Sequence, residues 1–166
     1  GYAAMGYSIL YEYGIFQQKI IDGWQTECPD YWLPGGEVWL EAVPEHTVEV
    51  RFGGQIQERW DGGIHLVEHT GYTTVLAVPH NMYVAGYGSD GVNVLRLWRA
   101  KSPGFDMERF NKGDYMGAVG QSSMGEAISK VLYPNDNHLE GKSLRLRQQY
   151  FLVAASVGGI VRRHMV

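Results

Sequence analysis

The chain has 166 residues, 45% apolar and 19% charged, which are ordinary values for a globular domain. A net charge of −4, without any block of Lys or Arg, argues against a nucleic-acid partner. The single cysteine, Cys28, excludes an internal disulfide, and no apolar run reaches membrane-spanning length, so a cytoplasmic, non-membrane protein is expected.

In chain order, residues 5–11 read as a buried strand bounded by Gly6 and Gly14, and residues 16–24 as a second strand with its loop. The chain thus opens on a strand with no capping lead, which suggests an interior piece of a longer protein. Residues 24–36 hold Pro29, Pro34, Gly35 and Gly36 and predict a long loop. Its Trp24, Tyr31 and Trp32 either anchor that loop to the core or offer rings to a sugar's apolar face. Residues 38–52 alternate with period two and predict two strands split by Pro44. Strands over 55–60, 64–68 and 72–78 follow, separated by Gly turns and ended by Pro79, in an antiparallel, half-solvated meander. Within them His65, Glu68 and His69 spell H-x-x-E-H, but that zinc pattern needs a helix, and these residues lie among strand formers; no metal site is expected. Residues 80–90 read as a loop and 91–100 as a strand ended by Ser102-Pro103-Gly104. No glycine-rich phosphate loop follows any strand.

Helical spacing begins later. Residues 105–112 form a short helix or loop. Residues 114–132 carry Tyr115, Val119, Met124 and Ile128 at helical intervals, interrupted by Gly117, Gly120 and Gly125, which would let another helix approach closely. Tyr133-Pro134 breaks that helix. Asn135, Asp136 and Asn137 follow, either a plain turn or a set of amides and a carboxylate suited to a hydroxyl-rich ligand. From Lys142 to Val157 a long helix is expected. Leu144, Leu146, Tyr150, Phe151, Val153 and Ala154 form its apolar side; Arg145, Arg147 and Gln148 lie opposite. Gly158-Gly159 is expected to kink or fray it before residues 160–164.

Several long words, in order, resemble the alpha-glucan phosphorylases (glycogen, starch and maltodextrin phosphorylase). They are YEYGIFQQKIIDGWQ (11–25), VNVLRLWRAKSP (92–103), FNKGDY (110–115), LYPNDNHLEGKSLRL (132–146) and YFLVAASVGGIVRRH (150–164). The resemblance covers nearly the whole chain, yet family members run to several hundred residues. It implies an α/β fold: part of the Rossmann-like N-terminal half of a two-domain GT-B type glycosyltransferase, with an antiparallel β extension and two long helices. Residues 1–166 would be one segment of that domain, strand-rich over 1–103, with the tower-like helix, the gate loop and the following helix over 104–166.

The resemblance also implies a parent that uses phosphate to release glucose 1-phosphate from the non-reducing end of α-1,4-glucans. Its pyridoxal phosphate would sit on a lysine outside this chain, and the fragment alone would be inactive. Asn135, Asp136, Asn137 and His138 would form the gate loop, with Asn137 as the sugar contact and Asp136 as the anchoring charge. His138 stands where an aromatic residue in glycogen phosphorylase stacks with purine inhibitors. Tyr115, Val119 and Met124 would lie on the tower-like helix of a homodimer. Arg162 and Arg163 match a basic pair that contacts AMP phosphate in animal enzymes, but the cap and helix residues that complete that nucleotide site are absent from this chain, and a helix-end role is the favoured reading of two C-terminal cations. The alternative reading is a stand-alone carbohydrate-binding or dimerisation module.

Overall fold

The structure is a computed structural model that describes residues 2–13, 15–104, 111–132, 134 and 137–165. It is a mixed α/β arrangement in which nine strands precede two α-helices, among the described residues. In the central sheet β1 (Met5–Ile9) pairs in parallel with β9 (Val92–Lys101), and β9 pairs antiparallel with β8 (Thr73–Ala85). The far side of β8 takes two short partners, β4 (Glu41–Ala42) and β5 (Val48–Phe52). Two hairpins stand apart from this sheet: β2 (Ile15–Ile21) with β3 (Trp24–Asp30), and β6 (Gln55–Asp61) with β7 (Ile64–Thr70).

Three strand boundaries differ from the sequence reading, each for a local reason. Trp24 opens a strand rather than a long loop, because Asp22 and Gly23 both take positive φ (51° and 82°), the requirement of a tight two-residue hairpin turn. Of the expected strands over 38–52, only Glu41–Ala42 and Val48–Phe52 form, with Pro44–His46 as a 3-10 turn between them. Pro79 does not end β8, which continues through His80–Asn81 to Ala85. The carbonyl of Pro79 accepts from Val43 N at 3.0 Å, so its side of the strand faces the gap between β5 and β4. A proline there removes a donor that no ladder partner needs.

Both helices cover one face of the sheet. Cross-strand partners share a face, so Ile9, Trp98, Ala100, Ala77, Val75, Val50 and Val48 point together. Helix α1 (Tyr115–Ala127) reaches this face through Gly125, and Ile128 just beyond it is buried. A Cβ at Gly125 would lie 3.4 Å from Val75, so this glycine serves helix-on-sheet contact instead of helix-on-helix contact. Helix α2 (Leu139–His164) inserts Phe151 and Ala155, both fully buried, beside Trp98, whose Nε1 donates to Ser156 Oγ at 3.1 Å.

Two expectations for α2 are corrected. Gly158-Gly159 neither kinks nor frays it: a Cβ would meet Val48 at 3.0 Å from the first position and Trp98 at 3.5 Å from the second. Packing against the sheet there outweighs the weak helix propensity of glycine. Gln148 is not on the solvent side; it is buried with Phe151, whereas Leu146 and Val153 face outward and the half-exposed Tyr150 ring packs edge-on against Phe52. Of the two helices only α2 is long, with 26 residues against 13 for α1. Neither is long and apolar enough to cross a membrane.

Candidate functional site

Helix α2 connects two places of interest, one at each end. At its N-terminal end lies the Asn/Asp loop. Asn135 and Asp136 fall outside the described residues; Asn137 and His138 are exposed, and the carbonyl of His138 accepts from Lys142 N at 3.1 Å.

The stem that leads into this loop is fixed from two sides. Glu12 N and Tyr13 N each donate at 2.9 Å to the carbonyls of Ser129 and Lys130, and Leu132 N donates back to Tyr13 O at 3.2 Å. From α2 the buried Gln148 amide donates to Ile128 O at 3.1 Å and Val131 O at 2.7 Å. One side chain thereby satisfies two carbonyls left over where α1 ends. It ties α1, the loop stem and α2 together. Sequence reasoning missed this residue. Its signal was a Gln at the same helical angle as Ala155 and three residues before Phe151.

At the C-terminal end of α2 the sheet face turns from apolar to basic. Arg162 Nη1 donates to Thr47 O at 2.9 Å, fastening the helix end to the start of β5, and Arg163 lies 3.9 Å from Met5 Sδ. Arg96, three residues beyond Asn93 on β9, joins them from below. It is 7% exposed, donates through Nε to Asn81 Oδ1 at 3.0 Å, and lies 5.7 Å from the centre of the Trp98 ring.

His46, Arg96, Gly159, Arg162 and Arg163 line a cavity of about 380 Å³. Arg96 and Arg163 also line a neighbouring cavity of about 420 Å³, with Asn81 and Tyr83. No carboxylate is among the described lining residues of either. Burial first, and then the Arg163 charge, push the Arg96 guanidinium below its ordinary pKa. Such a cluster favours an anion. Of its members the sequence had singled out Arg162 and Arg163 but not Arg96 or His46.

The remaining sequence candidates are dispersed. Tyr115 and Met124 are exposed on α1, and Val119 has no described side chain. His65 and His69 lie on β7: the first is 3.2 Å from Glu58 and the second contacts Gly53 O at 2.7 Å. On the opposite sheet face Glu37 ties the 31–40 segment down by an ion pair with Arg99, and its other oxygen is 3.6 Å from His80 Nε2. Burial, and then the Arg99 charge, lower the His80 pKa below 6.5.

Among the described residues, Lys130 does not fit the lysine that would hold pyridoxal phosphate. Lys101 and Lys130 line a polar cavity of about 520 Å³ together with Glu12 and Glu126. Lys130 pairs with Glu12, which raises its pKa and holds it protonated, the opposite of what Schiff-base formation requires.

Known proteins agree with the sequence resemblance. The family model described as carbohydrate phosphorylase matches residues 1–166. Human glycogen phosphorylase, brain form, is 49% identical over 164 residues, as is the mouse brain form. The bovine liver form is 48% identical over 164 residues. In each case 98% of this chain is covered but only 19% of the relative. A match along its entire length, near half identity, makes this chain a member of the carbohydrate phosphorylase family, spanning about a fifth of its relatives' length.

Proposed function

We propose that the chain is a segment of the N-terminal domain of an alpha-glucan phosphorylase, and that it supplies the parent with a gate loop and a phosphate-binding cavity rather than with the reacting groups. The parent would cleave terminal α-1,4-glucosyl units of a glucan with inorganic phosphate, as a homodimer with pyridoxal phosphate and a GT-B type fold. Near-half identity over 164 residues is the observation that carries this reading. Asn135, Asp136, Asn137 and His138 form the gate, and the stem held by Gln148 supports that role by giving the loop a fixed origin. Tyr115, Val119 and Met124 belong to the dimer contact, supported by the exposure of Tyr115 and Met124.

The basic cavity takes a phosphate-bearing ligand such as AMP. Arg163 and Arg96 are the principal contacts, with Arg162 divided between the ligand and Thr47 O. Support comes from three guanidinium groups converging without a carboxylate, a desolvated site where anion binding relieves like-charge repulsion.

Two measurements test this reading. Purified chain incubated with maltoheptaose and phosphate should release no glucose 1-phosphate, since the resemblance puts the cofactor's lysine outside these residues; detectable release would refute the division of labour. Calorimetric titration with AMP should give binding that Arg96→Ala and Arg163→Ala each weaken by about tenfold or more, the loss of one charge-assisted contact. AMP binding unchanged in both variants would remove the cavity from the proposal.

A further inference from the structure

Met5 sets an oxidisable sulfur beside the basic cluster. On β1 it pairs with Val94 of β9, two residues before the Tyr7–Arg96 pair. Met5, Tyr7 and Arg96 therefore share the sheet face that runs under the end of α2. There Met5, Arg96 and Arg163 line one cavity of about 420 Å³, together with Asn81 and Tyr83. Met5 is partly exposed, and that cavity is wide enough for a molecule as small as hydrogen peroxide to reach it.

Two donors already point at the sulfur. The Tyr7 hydroxyl donates to Met5 Sδ at 3.2 Å, and Arg163 Nη1 lies 3.9 Å from the same atom. A thioether is a weak acceptor, so neither donor is held firmly. Oxidation reverses that. The sulfur lone pair attacks one oxygen of hydrogen peroxide and the O–O bond breaks. That oxygen stays on sulfur, and its proton leaves with the released hydroxide as water. The thioether loses two electrons to the peroxide and becomes a polar sulfoxide. Its oxygen carries partial negative charge and is a far stronger partner for a guanidinium than the sulfur was.

We propose that Met5 is a reversible oxidation site whose sulfoxide captures the Arg163 guanidinium and so weakens the binding of a phosphate-bearing ligand in the basic cavity. A captured guanidinium is withdrawn from the ligand, and the sulfoxide dipole adds negative potential beside the anion; both effects act in the same direction. Two thiols restore the thioether, giving a disulfide and water. The effect on ligand rests on the phosphate-binding reading of the cavity, whereas the capture of Arg163 does not.

AMP is titrated calorimetrically into the full chain before and after peroxide treatment, with peptide mass mapping to follow Met5. Oxidation should weaken AMP binding by about tenfold, the loss of one charge-assisted contact. Methionine sulfoxide reductases of both epimer specificities should restore it. The other methionines oxidise as well, so Met5→Leu is the control, and peroxide should leave the AMP affinity of that variant where it was. Met5→Gln places an amide oxygen at similar reach and should weaken binding without any oxidant. Undiminished binding by the Met5-oxidised chain, or an equal loss in Met5→Leu, overturns the proposal. Capture is measured separately, with no ligand present. Peroxide should lower the melting temperature of Arg163→Ala by more than that of the unsubstituted chain, because only the latter has a guanidinium to satisfy the new oxygen. Equal drops overturn the capture. A reduced chain that binds no AMP would instead remove the phosphate-binding reading, and the capture would then stand or fall on the melting temperatures.

Discussion

Gln148 shows how much one buried amide can organise. Its NH₂ group donates to the carbonyls of Ile128 and Val131, and no buried side-chain polar atom lacks a partner among the described residues. Gln148→Leu keeps the volume but leaves both carbonyls without their donor, which costs about 1–3 kcal/mol. Urea denaturation should report that loss as a lower midpoint at unchanged slope; an unaltered midpoint would mean that water replaces the amide. His80 is the second residue with a measurable consequence. Its imidazole is 4% exposed and faces Glu37, Arg99 and Lys101. The unfolded imidazole takes up its proton near 6.5, and the folded one does so at lower pH. Its contribution is therefore complete above pH 6.5 and is lost as the pH falls from there toward the folded pKa, where the unfolded state holds more protons. The melting temperature should drop between pH 7.5 and pH 5, and His80→Gln should flatten that drop. Parallel curves for the two proteins would show that His80 is not responsible.

At the scale of elements, the legible features were those set by local chemistry. Alternation in VNVLRLWRA gave β9, and the Gly pairs gave the turns around β6 and β7. The Asp22-Gly23 signal was present too, but neighbouring prolines and aromatics masked it, and β3 was read as loop. What could not be read locally was the partner of each element. Pro79 looks like a strand end until the gap between β4 and β5 is known, and Gly158-Gly159 looks like a break until Val48 and Trp98 are placed beneath it. The same holds for the site: Arg162-Arg163 stands out in sequence, whereas Arg96 joins it only because β9 runs under the end of α2. Gly158 gives the sharpest test of close packing. A Leu there must displace Val48, already 3.0 Å from an added Cβ, and overpacking of this kind costs about 1–3 kcal/mol. Gly120 has nothing within 4 Å of an added Cβ, so Gly120→Leu serves as the control and should be neutral or stabilising through better helix propensity. Equal losses in both variants would point to backbone flexibility, not packing.

For the whole molecule, the decisive question is which ligands a fifth of a phosphorylase can still hold. A ligand that binds only the folded state raises its stability by RT ln(1 + [L]/Kd), about 1.4 kcal/mol at ten times Kd. For a chain of this size that is a rise of roughly 3–6 °C in melting temperature. The gate amides make only part of a sugar site, so maltoheptaose should leave the melting temperature unchanged. AMP should raise it, because Arg96 and Arg163 are brought together by β9 and α2, both inside this chain, with a burial that strengthens charge-assisted bonds. Added salt should erode the AMP effect, since the contacts are ionic and partly open to solvent. A shift with maltoheptaose alone would instead favour a carbohydrate-binding module, and exposed Trp24, Trp39 and Trp60 would then be the first residues to replace.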